Sequence, residues 1–116
     1  MPLIRVETNE SLSPETKTQL CASLSRIGAE VIGKPEAYVM AVVADRTPIM
    51  LGGKPGPAAF VDVRSIGGLT SDVNGELSGK ICALITSVIN VSGGRIYLNF
   101  TELEASHWGH NGSTFG

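Results

Sequence analysis

A short apolar run at Leu3, Ile4 and Val6 predicts a β-strand at the start of the chain. Leu20, Leu24, Ile27 and Val31 then recur at helical spacing and predict one apolar helix face. Ser13 is a good N-cap, and Pro14 falls at the first helical position, where its missing N–H costs nothing. Gly33 is placed to close that helix. The β-branched and apolar stretch from Tyr38 to Val43 predicts a second strand.

The same pattern returns 57 residues later. Leu3, Ile4 and Val6 map onto Phe60, Val61 and Val63, and Ser13 maps onto Thr70. The helical stripe maps onto Leu77, Ile81, Leu84 and Val88, while Val39 and Ala41 map onto Ile96 and Leu98. Few residues are identical, so the repeat is one of pattern more than of sequence. Two β-α-β units, about residues 2–45 and 59–102, predict an α+β fold in a single domain over residues 1–116. They would form one four-stranded sheet with two helices on one face, and crossovers between parallel strands should be right-handed. The uncovered face is expected to be apolar, which for a small monomer argues for self-association. Leu51-Gly52-Gly53-Lys54-Pro55-Gly56-Pro57 between the units lacks a phosphate-loop pattern and reads as turn chemistry.

Composition narrows the function classes. A formal net charge of −2 gives no basic footprint for nucleic acid, and no Lys/Arg run suggests a membrane surface. Met-Pro-Leu-Ile-Arg-Val-Glu brings charge in at Arg5, unlike a signal peptide or a transmembrane segment, so a cytoplasmic location is expected. Cys21 and Cys82 form no C-x-x-C pair and read as buried reduced thiols. Asn90, Asn99 and Asn111 each open a glycosylation sequon, which carries little weight without a secretory signal. No metal site and no cofactor are expected.

The candidate chemistry sits at Pro2. Methionine is usually trimmed before a small residue such as proline, which would leave a free secondary amine. An α-amino group titrates near ~7.7–8.0, and a dry pocket or a neighbouring positive charge lowers that value. Such an amine suits general-base work near neutral pH. From Pro2 alone the alternative stays open, since proline is simply common at position two.

Five segments in register carry a resemblance over essentially the whole chain. They are Met-Pro-Leu-Ile at the start, Gly33-Lys34-Pro35-Glu36-Ala37-Tyr38, Ser65-Ile66-Gly67-Gly68, Arg95-Ile96-Tyr97-Leu98-Asn99-Phe100 and Asn111-Gly112-Ser113-Thr114-Phe115. With these the sequence resembles the macrophage migration inhibitory factor and D-dopachrome tautomerase family of the tautomerase superfamily. The resemblance implies a homotrimer with active sites at subunit interfaces and a small enol or keto acid as substrate. It implies that Pro2 is the base of a keto–enol tautomerase needing no cofactor, active on phenylpyruvate- or dopachrome-type compounds. By position, Lys34 would hold a substrate carboxylate and lower the amine's pKa, and the backbone N–H of Ile66 would reach the substrate. Tyr97 and Asn99 would enter from the neighbouring subunit, and Tyr38 and Phe115 would form aromatic walls. Spacing agrees in one respect: Tyr97 and Asn99 lie two apart on a predicted strand and so share a face. The competing reading is a signalling protein of the same family that acts by partner binding, with vestigial activity.

Two segments depart from the family pattern. Where the mammalian cytokine has an aliphatic residue followed by tryptophan, this chain has Trp108 followed by His110. If that segment is extended, both line the pocket mouth, and altered substrate preference with retained chemistry is expected. A surface-loop position for His110 is the alternative, and His107 reads as surface. The C-x-x-C motif that some members use for thiol–disulfide work reads Ala58-Ala59-Phe60-Val61 here, which argues against that role.

Overall fold

Ser13 and Thr70 start the two long helices in the same way. In the computed structural model, which describes residues 1–116, Ser13 Oγ accepts the Thr16 N–H at 3.1 Å and Thr70 Oγ1 accepts the Val73 N–H at 3.2 Å. Each bond satisfies one of the orphan donors at a helix start. Helix α1 spans Pro14–Ile32 and helix α2 spans Ser71–Ile89, an offset of 57 residues at both ends. Both close on a left-handed residue, Gly33 with φ 79° and Asn90 with φ 58°.

Strands β1 (Leu3–Thr8), β2 (Met40–Ala44), β3 (Ala59–Ser65) and β4 (Ile96–Glu102) form one sheet in the order β2-β1-β3-β4. Each β-α-β unit pairs its own strands in parallel, β1 with β2 and β3 with β4. The units join antiparallel through β1 and β3. This is the predicted four-stranded sheet with two helices, and the antiparallel join makes it a mixed one.

Strand β2 begins later than the sequence suggests. Tyr38 lies in a short 3₁₀ turn, Glu36–Tyr38, where its N–H donates to Pro35 O at 3.0 Å and the Val39 N–H donates to Glu36 O at 3.0 Å. Those local bonds use the donors a strand would need. The second unit repeats the device at Gly93–Arg95.

The core lies between sheet and helices. Ile4, Val6, Val61 and Val63 from the sheet, and Leu20, Leu24, Leu77, Ile81 and Ile85 from the helices, have no exposed surface. Burying one such side chain contributes on the order of 1.5–3 kcal/mol. The buried helical stripe differs in detail from the predicted one. It runs Leu20, Leu24, Gly28, Ile32 and Leu77, Ile81, Ile85, Ile89, whereas Ile27, Val31, Leu84 and Val88 are only partly covered. Steps of four follow the oblique ridge by which helices pack. Gly28 lets α1 approach closely, because a Cβ there would stand 2.8 Å from Ile4 Cδ1.

The open face of the sheet is mixed rather than uniformly apolar, since Leu3, Met40, Val42, Phe60 and Tyr97 share it with charged residues. Between the core-facing residues, alternation turns Arg5 and Glu7 of β1 and Asp62 and Arg64 of β3 outward, where they form ion pairs at 3.7 Å and 3.0 Å. The apolar part of that face, with Met40 and Tyr97 largely exposed, still leaves surface that self-association would cover. Cys21 and Cys82 are free and half-buried, and burial pushes the Cys82 thiol up.

The connection between the units is a turn, as its glycines suggest. Gly52 and Gly53, both at positive φ, lie between the bridged residues Leu51 and Lys54. Asn9 ties this connection to β1: its Oδ1 accepts the Ala58 N–H at 2.8 Å and its Nδ2 donates to Gly56 O at 2.7 Å. The Arg95 guanidinium donates to Pro57 O, Lys54 O and Gly56 O at 2.8–3.2 Å.

Candidate active site

Pro2 is fully buried at the end of β1, and its carbonyl accepts the Met40 N–H of the edge strand β2 at 2.9 Å. That bond fixes the chain's first residues against β2, at the floor of a cavity of about 280 Å³. Met1, Pro2, Ala37, Tyr38, Val39 and Met40 line one side of the cavity. Trp108, Gly109, His110 and Phe115 line the other.

The second wall is a hairpin of strands β5 (Gly109–His110) and β6 (Ser113–Thr114). Asn111 and Gly112 both have positive φ, 51° and 87°, the geometry of the tight hairpin turn that Asn-Gly favours. The Phe115 N–H donates to Trp108 O at 3.1 Å and extends the ladder. Trp108 and His110, two apart, share a face. Phe115 sits diagonally across from His110, within reach of an aromatic ring. The two rings stack with centroids 5.8 Å apart and planes 4° from parallel. His110 is therefore a cavity residue as well as an exposed one. His107 is exposed, as expected.

Lys34 follows the Gly33 cap of α1, and its Nζ donates to Ile66 O at 3.4 Å. Ile66 leads into Gly67 and Gly68, both at positive φ. Burial, and after it the positive charge of Lys34, hold the Met1 α-amine below its ordinary value of 8.0. Lys34 thus acts electrostatically on the chain terminus without forming part of the cavity wall. Ile66 likewise lies off the wall, and its contact with Lys34 is through its carbonyl.

Tyr97 and Asn99 are not brought to this cavity within one chain. Both are exposed on β4. Leu3 aligns through Arg64 with Thr101, whereas Tyr97 aligns through Phe60 with Glu7. Tyr97 therefore lies roughly 13 Å along the strands and about 9.6 Å across two strand spacings from the level of Leu3. It borders a separate hollow of about 100 Å³ with Ile49, Met50, Leu51, Ala58, Ala59 and Arg95.

Met40 is the lining residue that sequence reasoning missed most plainly, since nothing distinguishes it from any strand methionine. The hairpin had a usable signal, because Asn111-Gly112 marks a tight turn as well as a sequon. No cluster of three or more His, Cys, Asp or Glu side chains could hold a metal ion. No helix is long and apolar enough to cross a membrane.

Comparison with known proteins places this geometry. The family model for macrophage migration inhibitory factor (MIF) matches residues 1–116. A macrophage migration inhibitory factor homologue of Trichuris trichiura is 34% identical over 115 residues, covering 99% of this chain and 100% of the relative. One from Brugia malayi is 32% identical over the full length of both. Among solved structures, the homologue from Prochlorococcus marinus superposes with a TM-score of 0.93 at 35% identity, covering 98% of this chain and 99% of that one. The macrophage migration inhibitory factor of Toxoplasma gondii gives a TM-score of 0.94 at 30% identity, covering 97% and 99%. The chain belongs to the macrophage migration inhibitory factor family of the tautomerase superfamily.

Proposed function

We propose that the protein is a cofactor-independent keto–enol tautomerase for arylpyruvate- or dopachrome-type substrates, with the Pro2 amine as general base. The observation that carries this reading is the position of the N-terminus. Pro2 lies at the floor of an aromatic-walled cavity, and Lys34 stands near enough for its charge to lower the α-amine of the preceding Met1, as it would lower the Pro2 amine once Met1 is removed. A base for carbon acids needs that combination of access and a pKa near the working pH.

In the proposed reaction, the Pro2 nitrogen takes a proton from the carbon next to the ketone. The C–H electron pair becomes the C=C bond, and the carbonyl π pair moves to oxygen, which is then protonated. The reverse direction returns the proton from Pro2 to carbon. Lys34 holds the substrate carboxylate, and the Ile66 N–H, Tyr97 and Asn99 supply donors at the developing enolate oxygen. Tyr38 and Phe115 flank the ring. Since Tyr97 and Asn99 lie far from Pro2 in one chain, the site is completed by a neighbouring subunit of a homotrimer. Met1 must be removed, because behind it the Pro2 nitrogen is an amide with no available lone pair.

Replacing Pro2 by glycine keeps an N-terminal amine but loses the secondary amine. Enol–keto conversion of phenylpyruvate should fall at least about tenfold, less than the roughly 10²–10⁴-fold of a wholly lost general base because glycine still offers a primary amine. Unchanged conversion by the Met1-free variant would remove Pro2 from the mechanism.

A further inference from the structure

We infer that His110 is a specificity residue that selects aromatic ligands carrying a second anionic group at the ring end remote from the keto acid. The inference rests on the tautomerase reading for the ligand's class and for the anchoring of its first carboxylate at Lys34.

Three observations support it. First, Lys34 puts positive charge near the Pro2 end of the cavity, where the proposed function places the first carboxylate. Second, among the lining side chains only Tyr38, Trp108 and His110 carry a polar atom, and only that of His110 can carry positive charge. Third, His110 is held by its face. The parallel stack on Phe115 fixes the imidazole plane, while its ring nitrogens engage no group of the chain. A ring stacked by its face leaves its nitrogens free to meet a ligand in the cavity it lines.

The hairpin sets where that edge lies. His110 is two residues beyond Trp108 and immediately before the Asn111-Gly112 turn, about 6.6 Å further along the hairpin. A ligand anchored by Lys34 with its ring between Tyr38 and Trp108 therefore brings its far end toward His110. A carboxylate there accepts a charge-assisted hydrogen bond. A bare phenyl ring meets only the edge of a solvated imidazole.

The test uses Trp108, the one tryptophan of the chain, as a fluorescent reporter in the cavity wall. The probes are phenylacetate and 4-carboxyphenylacetate, which are not ketones and report binding without turnover. The intact protein should bind 4-carboxyphenylacetate at least about fivefold more tightly, an effect small enough for an exposed charged contact. His110→Phe keeps a ring to stack on Phe115 and should bring the two affinities together. His110→Lys, which restores a cation, should restore the preference. Equal affinities in the intact protein, or a preference that survives His110→Phe, overturn the inference. Turnover of phenylpyruvate and 4-carboxyphenylpyruvate separates the two readings. Selective binding with turnover of neither ketone sinks the tautomerase and leaves the subsite. Equal binding and equal turnover of both does the reverse.

Discussion

Because Pro2 and Tyr97 stand on different levels and different strands of the sheet, two crippled variants should repair each other when their subunits are mixed. Leu3 shares its level with Thr101, and Tyr97 lies four residues back along β4. The separation, roughly 13 Å along the strands and about 9.6 Å across them, is longer than a tyrosine side chain. Each proposed site therefore takes Pro2 from one subunit and Tyr97 from the next around a closed ring. Consider Pro2→Gly and Tyr97→Ala chains, unfolded together in equal amounts and refolded. A site is intact when its Pro2 comes from a Tyr97→Ala chain and its tyrosine comes from a Pro2→Gly chain. Each condition holds for half of the positions, so about a quarter of the sites are whole. Ketonisation of enol-phenylpyruvate, followed by ultraviolet absorbance, should recover about a quarter of the native rate. Either parent alone should remain near background. Native mass spectrometry would verify that mixed trimers had formed. If they had, and the mixture ran no faster than the mean of its parents, the shared site would be refuted.

Three further outcomes follow from contacts already described or nearby. Replacing Lys34 by alanine removes a positive charge that pushes the N-terminal amine down. The acid limb of the kcat/KM profile should move to higher pH, and KM for phenylpyruvate should rise about tenfold or more with the loss of a charged hydrogen bond. Asp45 is held below the ordinary carboxylate value of 3.8, first by the Leu12 N–H at 2.9 Å and further by Lys17 and Arg46. A depressed carboxyl stabilises the fold above its unfolded value and loses that contribution as pH falls through its folded value. Asp45→Asn should therefore be less stable than the native chain in urea at neutral pH, with the gap closing below that ordinary value. Asn9→Ala strips partners from the Ala58 N–H and Gly56 O and should cost about 1–3 kcal/mol by the same denaturation.

The frame of the fold was legible because its signals are local. Ser13, Pro14 and Gly33 mark a helix by capping chemistry that no tertiary contact alters, and Thr70 repeats the first of them. The exact stripe was less legible, since Gly28 has no side chain to count as apolar and is buried only because α1 comes so near Ile4. Tyr38 looked like strand by type, but bonds initiated at Pro35 and Glu36 turned it into a 3₁₀ corner. The mixed character of the outer face is visible in the alternation, which sets Arg5, Glu7, Asp62 and Arg64 beside Leu3 and Phe60, whereas topology alone suggests an apolar face. Around the candidate site, Pro2, Tyr38, Trp108, His110 and Phe115 meet at one cavity. Lys34 and Ile66 stand beside it, and Tyr97 and Asn99 lie elsewhere in the chain. A single sequence carries no geometric sign of which subunit's residues complete a site. The strand register shows only that one chain does not bring Tyr97 to Pro2.

The central claim is that the working base is a free secondary amine at Pro2. The chain has six prolines, and five of them are interior residues whose nitrogens are amides at every pH. With nitrogen-15 proline labelling, an NMR titration of the purified protein reads all six at once. The account predicts that one signal, that of Pro2, has an amine shift and titrates below the ordinary α-amino range of ~7.7–8.0. Its midpoint should match the acid limb of the kcat/KM profile. Six amide signals that do not titrate, or a Pro2 amine titrating at or above the ordinary range, would contradict it.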